Sequence, residues 1–116
     1  MTSFNRGDVI LVDIVFSGAI GSKRRPAVVI STESFNKSGS KLIVVGITSN
    51  ISVPFRPGDM LLADWSLAGL LKPSAVRGII ATVDKLDITH KLGKLSSKDM
   101  SSVERSIATI IGIHNS

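Results

Sequence analysis

Cations and hydroxyls, rather than acids or imidazoles, are the chemistry-bearing groups of this chain. Residues 23–31 read KRRPAVVIS: three adjacent cations, a proline, then an apolar run. Adjacent like charges repel, and the start of a strand has no need of them. Thr48, Ser49 and Asn50 close a second apolar run, LIVVGIT, and Lys72 and Arg77 bound the stretch KPSAVR. A guanidinium offers a planar fork that meets phosphate oxygens two at a time and stays charged at any relevant pH. A hydroxyl can donate to a third oxygen. Together such groups could stabilise a pentavalent phosphorus species without a metal. A solvated loop and a plain strand end would contain the same residues, and spacing alone leaves both readings open.

Other chemistries lack their parts. There is no cysteine, and His90 and His114 are the only histidines, far apart and without a ligand pattern. No resident metal or cofactor is therefore expected. The segment SGAIGSKRR lacks the spacing of a phosphate-binding GxxxxGK[ST] loop. No Ser-His-Asp set stands out. The net charge of +5 attracts polyanions, of which nucleic acid is the commonest in a cell.

Several elements must position these groups. The 116 residues suit one domain spanning 1–116. DVILVDIVF is apolar at both parities and β-branched, which predicts a strand buried on both faces. Ser17 to Arg25 is expected to be a mobile loop, with Pro26 opening the next strand over Ala27 to Ser31. Ser34 to Lys41 is expected as a polar connection. Leu42 to Thr48 is a third strand, RPGD a turn, and Met60 to Ala63 and Ser74 to Lys85 are further strands. Met100, Val103, Ile107, Ile110 and Ile111 recur every three or four residues, so they line one helical face. Ser96 with Asp99 resembles a capping box at its start. Short strands followed by one amphipathic helix predict a mainly β fold, a small barrel closed or flanked by the helix. The start MTSFNRGD lacks the apolar core of a signal peptide, and no apolar run spans a membrane. The expected location is cytoplasmic.

RGDVILVDI, RRPAVVIS, VVGITSN, ADWSLAGLLKPSAVRGIIATVDK and KLGKLSSKDMSSVE together resemble the PemK/MazF family of bacterial toxins, in the family's order and over nearly the whole chain. The resemblance implies an SH3-like barrel (CcdB/PemK-like) with a C-terminal helix, usually a homodimer. It implies a metal-independent endoribonuclease that cleaves single-stranded RNA and is inhibited by a cognate antitoxin, with DNA contacted only through the antitoxin complex. It assigns Arg25 as a catalytic cation and Thr48 as a second catalytic group. It places Gly21 to Arg24 in the loop that shapes the substrate groove. Lys23, Arg24, Ser49, Asn50, Lys72 and Arg77 are the expected RNA-binding residues. Two departures stand out. Ile79 occupies a position where some members carry a carboxylate, and GAIGSKRRP lacks the acidic or amide residue that often follows the glycine.

The expected reaction is attack of a ribose 2′-OH on the adjacent phosphate, leaving 2′,3′-cyclic phosphate and 5′-OH ends. Arg25 would stabilise the phosphorane and Thr48 would hydrogen-bond a phosphate oxygen or the leaving group. The acceptor of the 2′-OH proton is unassigned. Trp65 could stack on an unpaired base, and it equally suits a core or a dimer interface. The alternatives are a non-catalytic barrel that binds nucleic acid or inhibits DNA gyrase, and a barrel whose dimer groove binds peptide. The ending IGIHNS lacks the terminal tryptophan common in gyrase-directed relatives.

Overall fold

The computed structural model describes residues 3–14, 23–52 and 55–113, except the side chains of Ile14 and Lys23. Six strands form one antiparallel sheet: β1 (Asp8–Ile14), β2 (Lys23–Val29), β3 (Lys41–Thr48), β4 (Met60–Leu61), β5 (Ala75–Asp84) and β6 (Ile88–Lys94). Their order across the sheet is β4-β5-β3-β2-β1-β6. Two helices are added, α1 (Glu33–Ser38) and α2 (Ser97–Ile111).

The double-sided burial expected of DVILVDIVF is observed over Asp8 to Val12; Val15 and Phe16 lie outside the described residues. Val9 belongs to one core cluster and Ile10 and Val12 to another, and all three are fully buried. The first cluster joins Val28, Val45 and Ile47 to Leu62, Ala68, Leu70 and Val103, so α2 and the segment before β5 cover that face. The second gathers Ala27, Val29, Leu42, Val44 and Val83, with Ile88 packed against it.

The expected closed barrel is corrected to an open, curled sheet. β4 and β6 are its outer strands and do not pair. β4 is only two residues long, too short to supply a closing ladder. The curl has a topological cause. β5 and β6 are consecutive in the chain yet separated in the sheet by β3, β2 and β1. Laid flat, that separation would be roughly 19 Å at the usual strand spacing. The link is a 3-10 turn, Lys85–Asp87, which advances only about 2 Å per residue. The sheet has to bend round to meet it, and Val83 and Ile88 thereby reach the same interior. Irregularities in the β1–β6 and β3–β5 registers accompany the bend, as bulges do in curved sheets.

Other boundaries also shift. The strand expected to open at Pro26 begins at Lys23, because Arg24 and Arg25 already pair with Asp13 and Val12. Pro26 lies one residue beyond the last β2–β3 rung, Ala27 with Gly46, where a missing N–H is tolerated. The expected loop at 17–22 lies outside the described residues. The polar connection after Ser31 contains α1, started by Thr32, whose hydroxyl accepts the Phe35 N–H, and supported by a Glu33–Lys37 ion pair. One and a half turns are too few to reveal a helical period. The strand expected at Met60 to Ala63 stops at Leu61. β6 has an exposed, polar-rich face that hides it from sequence patterning.

Candidate active site

Strand alternation decides which side chains can meet. Val9 pairs with Val28 on one face and Ile10 with Ala27 on the other. Continuing along the same ladder, Asp13 pairs with Arg24 and Val12 with Arg25, so the two arginines alternate between faces. The β2–β3 ladder runs Val29–Val44, Val28–Val45, Ala27–Gly46. The ladder stops there; Arg25 and Thr48 lie beyond it, at the neighbouring ends of β2 and β3. A fork of N–H donors and a hydroxyl can then address one phosphate.

Both residues line a cleft of about 470 Å³ at this end of the sheet, with Arg24, Ser49 and Lys72. That volume falls within the roughly 300–1,000 Å³ typical of ligand sites. The apolar part of the lining comes from Leu11, Pro26, Ile47, Leu70, Leu71 and Leu92. Leu71 is 95% exposed, an apolar side chain held in water beside three cations. The Thr48 hydroxyl accepts the Asn50 N–H at 3.1 Å, which orients it and leaves its own proton to donate. Arg24 faces the Asp13 carboxylate at 3.6 Å. None of the described residues that line the cleft is a carboxylate or a histidine.

Five of the eight residues singled out from sequence therefore converge: Arg24, Arg25, Thr48, Ser49 and Lys72. Asn50 sits beside them, and its side chain accepts from Ser52. The Lys23 side chain lies outside the described residues, as do Gly21 and Ser22. Arg77 is elsewhere. It donates to Asp59 at 2.8 Å and lines a separate hollow with Arg56 and Ile79. The position expected to hold a carboxylate in some relatives is thus remote from the Arg25 cleft. Asp59 also accepts the N–H groups of Arg56 and Gly78. Burial raises its pKa, but these two hydrogen bonds and Arg77 outweigh it and hold the carboxyl below its ordinary 3.8. Trp65 packs against the first core cluster and does not line the cleft. Among the described residues, no three His, Cys, Asp or Glu side chains gather in a way that could hold a metal.

The apolar density of Trp65 to Leu71 exceeds what one small barrel needs, but its place at the cleft was not legible in sequence. Leu70 is buried. Leu71 is turned outward because Gly69 adopts φ +84° and lies directly on β6. A Cβ at Gly69 would stand 2.1 Å from the Leu92 carbonyl oxygen, so only glycine permits this seat.

Residues 5–111 match the family model of the PemK-like, MazF-like toxins of type II toxin–antitoxin systems. The chain belongs to this family. An endoribonuclease MazF of Staphylococcus saprophyticus is 34% identical over 113 residues, covering 94% of this chain and 92% of that protein. An endoribonuclease MazF6 of Mycobacterium tuberculosis is 29% identical over 99 residues, covering 84% and 86%. A mycobacterial endoribonuclease in complex with its cognate antitoxin shares the fold with a TM-score of 0.77 and 18% identity, covering 97% of this chain and 98% of that one. The MazE–MazF complex from Deinococcus radiodurans gives 0.75 at 18%, covering 98% and 100%. In this PemK/MazF-like toxin the cleft lies at the RRP and ITSN segments that the resemblance singled out. No helix among the described residues is long and apolar enough to cross a membrane.

Proposed function

We propose that this toxin is an endoribonuclease that cleaves single-stranded RNA in the Arg25–Thr48 cleft by transesterification. The ribose 2′-oxygen attacks the adjacent phosphorus and the P–O5′ bond breaks. The ends are a 2′,3′-cyclic phosphate and a 5′-OH. Arg25 stabilises the charge that grows on the phosphorane, the role that is usually the largest single catalytic contribution. Thr48 donates to a phosphate oxygen. Among the described residues no carboxylate or imidazole lines the cleft; in this reading water accepts the 2′-OH proton and solvent returns one to the 5′-oxygen. Arg24, Ser49 and Lys72 hold neighbouring phosphates, and the leucine wall accepts the apolar face of an unpaired base.

The observation that carries this reading is the single cleft that Arg25 and Thr48 line together. The family membership supports it, as do relatives named endoribonucleases. Relatives solved with an antitoxin support an antitoxin partner for this chain, and a homodimer is the assembly we propose.

The test is incubation with a long single-stranded RNA in EDTA. Discrete fragments with 5′-OH ends are expected. Cleavage that requires added Mg²⁺, or fragments with 5′-phosphate ends, would exclude this chemistry.

A further inference from the structure

Asp99 is fully buried and takes no part in the chemistry above. As the third residue of α2 it would, in a complete capping box, reach back to the Ser96 N–H. Only half of that box is built. Ser96 accepts the Asp99 N–H at 3.2 Å, but the carboxylate turns outward from the helix. Its Oδ1 accepts the Ala63 N–H at 2.9 Å and its Oδ2 the Asp64 N–H at 2.8 Å. The helix therefore spends its N-terminal acid on another segment.

That segment, residues 62–74, walls the cleft. It is closed at its base by the Leu62 N–H donating to the Ser74 carbonyl at 3.0 Å. From Asp64 it winds through one turn, with the Ala68 N–H on the Asp64 carbonyl and the Leu70 N–H on that of Trp65. Gly69 then rests on the backbone at Leu92, and Ala68 on Gly93. The chain continues as Leu70, Leu71 and Lys72 into the cleft. Leu62 and Leu70 also bury their side chains in the first core cluster, and the Ser74 hydroxyl donates to the Lys72 carbonyl at 2.8 Å; the Asp99 carboxylate is the anchor that comes from α2, a helix that does not line the cleft.

We propose that Asp99 is a positioning residue for RNA binding, holding the 62–74 segment so that Leu71 and Lys72 face Arg25 and Thr48. The proposal rests on the ribonuclease reading of the cleft. The loss of these bonds need not unfold the protein. Ala63 is exposed and Asp64 half-buried, so water can reach both N–H groups once the carboxylate is gone. What changes is where the segment sits. An amide at this position would keep one acceptor and turn an N–H₂ donor toward the second backbone N–H, pushing Asp64 away.

The test compares wild type with Asp99→Asn and Asp99→Glu on single-stranded RNA of mixed sequence. Binding is measured on its fully 2′-O-methylated copy, which 2′-OH attack cannot cleave. Thermal unfolding of each variant establishes that it is folded at the assay temperature. For Asp99→Asn, KM and the Kd of the methylated copy should rise about tenfold, the scale of leaving a hydrogen-bond donor unmatched. The value of kcat should change little, because Arg25 and Thr48 stand on other strands. A merely structural role would leave the effects of Asp99 and of the wall independent, so their fold-changes would multiply. Acting through the wall, Asp99→Asn should add little once Leu71→Ala and Lys72→Ala have been made together. Unchanged KM and Kd in folded Asp99→Asn, an equal fall in kcat, or multiplying effects would each overturn the proposal. If Asp99→Asn does not fold, Asp99→Glu gives the same reading through its displaced carboxylate; failure of both to fold makes Asp99 structural and overturns it. A wild type that binds without cleaving would remove the ribonuclease reading, and the Kd comparison would still decide Asp99. A wild type that neither binds nor cleaves would remove both.

Discussion

Arg25 and Arg24 are neighbours of the same type, yet strand alternation separates their work. Arg24 pairs across to Asp13, where its charge is half spent, and serves binding. Arg25 stands on a strand paired to β1 and is followed by the rigid Pro26. A donor that need not reorganise is the kind that stabilises a transition state well. Arg25→Ala is expected to lower kcat about a hundredfold or more at saturating RNA, the usual scale for losing one such donor. Arg25→Lys should recover little, because a point charge does not replace the fork. Single-turnover cleavage with melting curves checks both. A near-normal rate in Arg25→Ala would remove the main catalytic residue.

Two turns carry functional weight as elements. The first is RPGD, where Asp59 gathers the N–H groups of Arg56 and Gly78 and the Arg77 guanidinium. Because its pKa is held below the ordinary 3.8, its contribution to stability is complete above that value. It is lost as pH falls through the lower folded-state pKa. Melting temperature should therefore be insensitive to this group near neutrality and drop in strong acid. Asp59→Asn should flatten that acid limb; an unchanged acid limb would show that the turn is not held by the charge. The second is the wall at Gly69, with φ +84° and no room for a Cβ beside the Leu92 carbonyl. Gly69→Ala is expected to cost at least about 1–2 kcal/mol from the left-handed conformation alone, and denaturant unfolding would measure it. The displaced wall should also raise KM for RNA.

The charge of the whole molecule, +5, acts at longer range than either turn. Arg24, Arg25 and Lys72 border a single cleft, so RNA should release several counterions on binding. The logarithm of the affinity is expected to fall linearly with the logarithm of salt, by roughly 0.7 for each phosphate neutralised on a single strand. Titrations from low to physiological salt would show it, and an affinity indifferent to salt would contradict a phosphate-lined cleft. The apolar wall should supply a residual affinity that salt does not screen, because burial of apolar surface does not depend on counterions.

The strands of the core and the long helix were legible in the sequence because burial writes a period into it. DVILVDI is apolar at both parities because both its faces are covered, and Met100, Val103 and Ile107 repeat at helical spacing because that face meets the core. The RRP and ITSN segments were recognisable because chemistry restricts residue type. Pairing across the sheet was not legible, since it depends on strand order and register. It alone brings Arg25 and Thr48 to one cleft, removes Arg77 to Asp59, and bends the sheet to satisfy the three-residue link from β5 to β6. The roles of Leu71 and Asp99 were equally hidden. The outward turn of Leu71 follows from the seat of Gly69 on β6, and Asp99 meets partners 35 and 36 residues away. Local sequence encodes which faces seek burial; only the folded chain decides which side chains those faces bring together.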